Sequence, residues 1–272
     1  MYKRQTYNKK ILIFDLSDYD YVIDIPNSIV LRTSQYAYKK KKNEYIIPPI
    51  VEDLSVGREI VWRRKSNKST VGFAGWADFP NIRSKFKYKF KNSIWGVRSL
   101  WNPHAKVHTQ GIYFRRKSIE VLRKSSLVET KFILRKSYSA HVTTIEMNAE
   151  KARKEYVQNI IDSDFVLAPK GDGNYSARFY EILSLGRIPV LIDTETVLPS
   201  EDIIKYKEFI LRVPYQEIDR IDLYIADMYA NLTNEQFIDM QQKARHAYTT
   251  QLCSDVFLRN FLNVENLSKN II

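Results

Sequence analysis

The residue types able to do chemistry crowd into one short stretch, Lys170-Gly171-Asp172-Gly173-Asn174-Tyr175-Ser176-Ala177-Arg178, with Glu181 following. Lys170 and Arg178 bring positive charge, Ser176 a hydroxyl, and Gly171 and Gly173 backbone amides that a ligand can approach closely. Together these groups suit an anion, and phosphate above all. Glu181 stands at i+3 from Arg178, so on a helix the two share a face. A carboxylate there suits the hydroxyls of a ribose, as the acidic residue of dinucleotide sites does. The same spacing also fits a plain Arg178–Glu181 surface ion pair, and spacing alone leaves both readings open.

The elements that must position these groups are legible around them. Phe165-Val166-Leu167-Ala168, ended by Pro169, reads as a buried strand. The glycine-bearing loop follows, and a helix starts near Ser176 with Asn174 or Ser176 as its cap. Gly186 is the expected left-handed stop, and Ile188 to Ile192 is the next strand, with Pro189 near its start. A strand, loop and helix in that order put the loop at the carboxyl end of a parallel sheet, where open α/β sheets bind ligands.

The run APKGDGNYSARFYEILSLGRIPVLI resembles the C-terminal signature of the exostosin family of glycosyltransferases, on Pro169, Gly171, Ser176, Arg178, Glu181, Gly186, Ile188, Pro189 and Val190. The family's usual arginine before the glycine is here Lys170, which keeps the charge and loses the bidentate fork. The resemblance implies an α/β chain of GT-B type: a Rossmann-type nucleotide-sugar-binding domain with a parallel sheet, and a reduced N-terminal α/β lobe. It implies a nucleotide-sugar donor, most often a UDP-sugar, a glycan or glycoprotein acceptor, and transfer with inversion. Residues 1–66 are then the acceptor-side lobe, 67–250 the donor domain and 251–272 a C-terminal helix. The donor set it implies is Arg83, Lys170, Gly171, Gly173, Ser176, Arg178 and Glu181.

Thr70 to Gly75 resembles the Phe-Ala-Gly strand that opens the exostosin donor domain, and its exit loop, Trp76 to Asn81, should face the same cleft. Asp78 in that loop is the candidate base for the acceptor proton, with His104, His108 and Asp15 as alternatives. Arg83 opens the next helix, and a diphosphate-binding role is carried onto it from the family. Glu52 to Ser69 reads as a helix or linker, and Asp193 to Thr196 as donor-sugar contacts or turn residues. Ser118–Leu122, Glu150–Ile161, Ser200–Phe209, Ile218–Ala230, Thr233–Leu252 and Asp255–Leu262 read as helices, with Thr233 and Gln236 spaced as a capping box. Trp95 is expected in the core, and Trp76 and Trp101 stay open between core and sugar stacking.

Composition bounds the class. In 272 residues, 44% hydrophobic, there is enough apolar material for a core in one large domain or two small ones. A net charge of +12 points to acidic partners such as nucleotide phosphates, an anionic glycan or a membrane surface. Lys39 to Lys42 is a solvated loop or a contact to such a surface. The single cysteine, Cys253, excludes an internal disulfide. After Met1-Tyr2-Lys3-Arg4 no long apolar run appears, so no signal peptide or membrane span is expected and the chain reads as cytoplasmic. His104 and His108 stand four apart across Pro103's loop without a cysteine nearby, so no metal site and no cofactor beyond the donor are expected. GDGNYS lacks the glycine order of a dehydrogenase, and no aromatic ladder or helix-turn-helix supports nucleic acid. The rival from another class is a non-catalytic module that binds a nucleotide or an acidic glycan.

Overall fold

The computed structural model describes residues 10–79, 82–135 and 148–263. Tyr2-Lys3-Arg4 and the Pro80–Asn81 part of the loop before Arg83 lie outside them. The chain is an α/β protein with two parallel sheets. The first holds β1 (Ile11–Asp15), β2 (Ser28–Arg32) and β3 (Glu44–Ile46) in that order. Its centre is a buried cation: Arg32, wholly buried, donates to Asp15 and Glu44 at 2.9 Å each and to the carbonyls of Tyr19 and Tyr21. Two carboxylates and two carbonyls satisfy its two terminal nitrogens, which is what makes its burial tolerable, while Nε has no partner among the described residues.

The second sheet is built on β4 (Thr70–Trp76), from which the chain runs through α1 (Ile82–Arg98) and α2 (Gly111–Lys124) to β5 (Glu129–Arg135). Then α3 (Ala149–Ile161), β6 (Phe165–Leu167), α4 (Ala177–Ser184), β7 (Ile188–Asp193) and β8 (Leu211–Pro214) follow. The order is β5-β4-β6-β7-β8, all parallel. Val71, Phe73, Phe165, Leu167, Ile188 and Val190 are buried to the last per cent or two, as near-continuous apolar runs of a sheet covered on both faces must be. The expected Gly186 stop is present at φ +61°. The C-terminal α5 (Ile221–Asn231), α6 (Asn234–Ala247) and α7 (Ser254–Leu262) close the chain, with the Thr233–Gln236 capping box formed in both directions.

Helix α7 crosses back to the first sheet, where Phe257 packs with Ile29, Leu31 and Ile47. Residues 52–69 form turns and extended chain rather than a helix, tied down by Arg63 to Asp164 (2.6 Å) and by Arg245 to Asp53. The helix expected over Ser200–Phe209 does not form; only a 3₁₀ turn, Tyr206–Glu208, is present. Ile204, Tyr206, Phe209 and Ile210 are buried while Ile203 is exposed, a spacing no single helical face supplies, and Ser200 takes φ +48°. Burial here overrides helix propensity.

Candidate functional site

The chain leaves β4 toward β5 on one side and returns to β6 on the other, so the connections diverge between β4 and β6. An open parallel sheet has its natural crevice at such a reversal, outside the carboxyl ends of the strands. A cavity of about 1040 Å³ lies there, walled by Gly75 and Trp76 at the end of β4 and by Pro169, Gly171 and Ser176 after β6. Its lining carries Lys87, Lys91, Arg115, Arg135, Arg153 and Arg178 against Asp18, Asp172 and Glu181, six cations to three carboxylates.

Arg178 sits in the first turn of α4, where the helix dipole disfavours a cation unless an anion joins it. Its guanidinium lies over the Phe73 ring at 4.2 Å and 5.3 Å from that of Tyr156. Nη1 is buried and has no hydrogen-bond partner among the described residues. Gly75, at φ +150°, makes room for it: a methyl there would stand 2.8 Å from Nη2. Ser176 holds the N-cap position without a side-chain capping bond, and no acidic residue occupies the first turn. Arg178 and the start of α4, which has no side-chain cap, thus line one cavity, and one anion there would suit both.

Glu181, one turn on, does not pair with Arg178. It accepts from Arg153 Nη1 at 3.1 Å and from the Tyr156 hydroxyl, and Arg153 also holds Glu52 at 2.7 Å. Burial pushes the Tyr156 phenol up, so it stays a donor to that carboxylate. Arg153 and Tyr156 are three apart on α3 and were not singled out in the sequence; their shared face was its only signal. Arg115 is fixed by its bond to the Trp76 carbonyl at 2.6 Å, and Arg135 by bonds to Ala152 and Glu155.

The remaining expected site residues divide. Gly171 lines the cavity, while Gly173 packs against the first sheet's loop, where an added methyl would meet Ser34 and Asp18 at about 3 Å. Asn174 ties this loop to the chain after β2: its backbone nitrogen donates to Ser34 Oγ at 2.8 Å, and its side chain to the carbonyls of Gln35 and Thr194. Lys170 turns away from the cavity. Buried to 3% exposure, it donates to the Val107 carbonyl and to the Tyr36 hydroxyl, and burial pushes its ammonium down to about 7. Arg83 is exposed on α1 and is not on the cavity wall. Asp78 is also exposed and off the wall, paired with Arg116 at 2.9 Å.

The alternatives to Asp78 are engaged elsewhere. Asp15 belongs to the Arg32 cluster, His104 binds Glu195 at 2.7 Å, and His108 meets the Tyr38 hydroxyl at 2.6 Å with Trp95 stacked on it. Asp193 and Thr194 act as structural groups, toward Arg212 and Asn174. The carboxylate that the first sheet's loops bring to the wall is Asp18, just after β1. Among the described residues no cluster of three or more His, Cys, Asp or Glu side chains is placed to hold a metal ion. Nor is any described helix long and apolar enough to cross a membrane.

Residues 111–226 match the Exostosin GT47 domain family. The matched stretch holds Arg115, Arg135, Arg153, Tyr156, Arg178 and Glu181, while β4, α1, Asp78, Arg83 and the first sheet lie before it. The exostosin-1 homolog of Caenorhabditis elegans is 29% identical over 117 residues, 41% of this chain and 30% of that protein. Drosophila melanogaster exostosin-1 is 31% identical over 100 residues, 37% of this chain and 13% of that protein. The chain thus matches less than a third of the length of these relatives. A crystal structure of TarM is similar over 94% of this chain and 50% of its own, at 12% identity and a TM-score of 0.44, too distant to carry residue correspondences.

Proposed function

We propose that this chain is an inverting glycosyltransferase that moves a sugar from a nucleoside diphosphate donor, of the UDP-sugar class, to a glycan hydroxyl. The observation that carries the reading is Arg178: a half-buried, stacked guanidinium whose Nη1 has no partner among the described residues, beside the start of α4, which has no side-chain cap, at the sheet's reversal point. The match of residues 111–226 to the Exostosin GT47 domain family supports the reaction class. The donor's diphosphate lies between Arg178, Ser176 and the Gly171 backbone, and the ribose hydroxyls meet Glu181.

As the bond from the anomeric carbon to the diphosphate oxygen breaks, its electron pair stays on the leaving phosphate. Arg178 and the α4 amides are already aimed where that charge grows, and preorganised charge of this kind lowers the barrier without reorganisation. The acceptor oxygen attacks from the opposite face and gives its proton to a carboxylate. Asp18 takes that part in place of Asp78, since it enters the cavity from the other lobe.

The test is thermal stability of the chain with UDP, GDP, ADP and CMP, with and without a divalent cation, followed by a transfer assay with the matching nucleotide sugars. A ligand at about 100 times its Kd adds about 2.7 kcal/mol. Selective stabilisation by one nucleoside diphosphate, lost in Arg178→Met and independent of the cation, supports the reading. Indifference to every nucleotide overturns it, and binding with neither transfer nor donor hydrolysis leaves a binding module.

A further inference from the structure

Helix α1 turns its apolar side to solvent. Phe86, Phe90 and Trp101, just past the helix end, are 69%, 71% and 79% exposed, and Ile82, Ile94 and Val97 are exposed with them. At about 100° per residue these side chains fall within one third of the helix circumference. The other side of α1 meets the protein: Tyr88 packs on Phe79 at 4.7 Å and Trp95 on His108 at 5.1 Å. The apolar stripe is therefore not a core face turned the wrong way, because α1 already has one.

Charge frames the stripe. Arg83, Lys85, Lys87, Lys89, Lys91 and Arg98 all lie on α1, and no acidic residue occurs between Ile82 and Trp101. The same helical geometry sets Lys85 and Lys89 along one edge and Lys87, Lys91 and Arg98 along the other. Arg83 falls inside the apolar arc, with a stem long enough to carry its charge outward. A helix apolar on one face and lysine-edged beside it is suited to lie in the plane of an anionic bilayer.

Two other occupants fit less well. Protein interfaces are depleted in lysine, which here lines both edges of the stripe. A second copy of the chain would set six cations against six, in a face with no carboxylate to neutralise them. We propose that α1 is a membrane-surface helix, holding the protein on anionic lipid with Phe86, Phe90 and Trp101 among the acyl chains and the lysines at the headgroups. Lys87, Tyr88 and Lys91 of the same helix line the cavity, so a docked α1 sets the cavity mouth at the lipid surface. This does not depend on the cavity's chemistry.

The experiment is co-sedimentation of the full chain with phosphatidylcholine vesicles, with and without phosphatidylglycerol. Wild type is expected to sediment with the anionic vesicles only. Phe86→Ser/Phe90→Ser and Lys85→Glu/Lys89→Glu are each expected to weaken binding by more than about tenfold. All four substituted residues are exposed, so both variants keep the wild-type Tm, which excludes misfolding as the cause. Arg178→Met should bind vesicles like wild type, separating this proposal from the nucleotide site. Wild type that stays in the supernatant, or a phenylalanine variant that sediments as well as wild type, overturns it. So does a wild-type dimer, seen by size exclusion, that the phenylalanine variant dissolves without any vesicle binding.

Discussion

Replacing Arg178 by methionine separates a ligand-binding arginine from a structural one, because the two predict opposite signs. In the free protein Nη1 is a buried donor without a partner among the described residues, and such a group costs about 1–3 kcal/mol. Methionine removes it. The lost stacking over Phe73 at 4.2 Å is a cation–π contact of about 0.5–2 kcal/mol, which a sulfur–aromatic contact of about 0.3–1.5 kcal/mol largely restores. The free variant is therefore expected between unchanged stability and a gain of about 2 kcal/mol. At roughly 2–4 °C per kcal/mol for a chain of this size, its Tm holds or rises by several degrees. The complex loses at least one charge-assisted hydrogen bond, about 1.5–3 kcal/mol, so the Kd for UDP rises roughly 10- to 150-fold. The assay is a thermal scan of both proteins without ligand, with calorimetric titration of UDP beside it. A variant whose Tm drops by several degrees while its UDP affinity stays at the wild-type value would refute the reasoning, since Arg178 would then be part of the scaffold.

Glu181→Ala leaves the half-buried Tyr156 hydroxyl without its acceptor, and the free protein should lose about 1 kcal/mol in a denaturant titration. Its ribose role shows separately: wild type should prefer UDP to the 2′,3′-dideoxy analogue, and the variant should bind both alike. Lys170 gives a pH signature. Its ammonium is held at about 7 by burial, below the 10.5 of an exposed lysine, so the unfolded chain binds more protons between those values. That penalty is full below pH 7 and fades as pH rises, so the Tm of wild type relative to Lys170→Met should climb from pH 7 to pH 9, while UDP affinity is the same in both. Gly111→Ala would set a methyl 2.2 Å from the Lys170 carbonyl and 2.3 Å from that of Gly171. Backbone is the obstacle on both sides, so a loss of about 3 kcal/mol or more is expected, with weakened UDP binding because the central loop is pushed. A variant as stable as wild type would show that the loop gives way freely.

How much of this was legible in the sequence depended on how local the information was. Strand, loop, helix and stop around Arg178 were readable from Pro169, the glycines and Gly186, because backbone preference acts within a few residues. The parallel sheet followed from apolar runs alternating with helical ones, and the Thr233–Gln236 box from its spacing. Where a side chain points was another matter. Lys170 and Arg178 were equivalent cations in the sequence, yet one is sealed under Val107 and Tyr36 and the other stacks on Phe73. The sequence pointed to Asp78 and not to Asp18, and only the packing of the two sheets sets Asp18 on the cavity wall and Asp78 against Arg116. Arg153 reaches Glu181 across 28 residues of sequence, and Gly75 opens space for an arginine more than a hundred residues away. Local composition thus determined the elements and the anion-binding character of one loop. Which charges share a cavity was decided by long-range packing, since a rigid sheet and its covering helices bring distant side chains to a common point that no local pattern encodes.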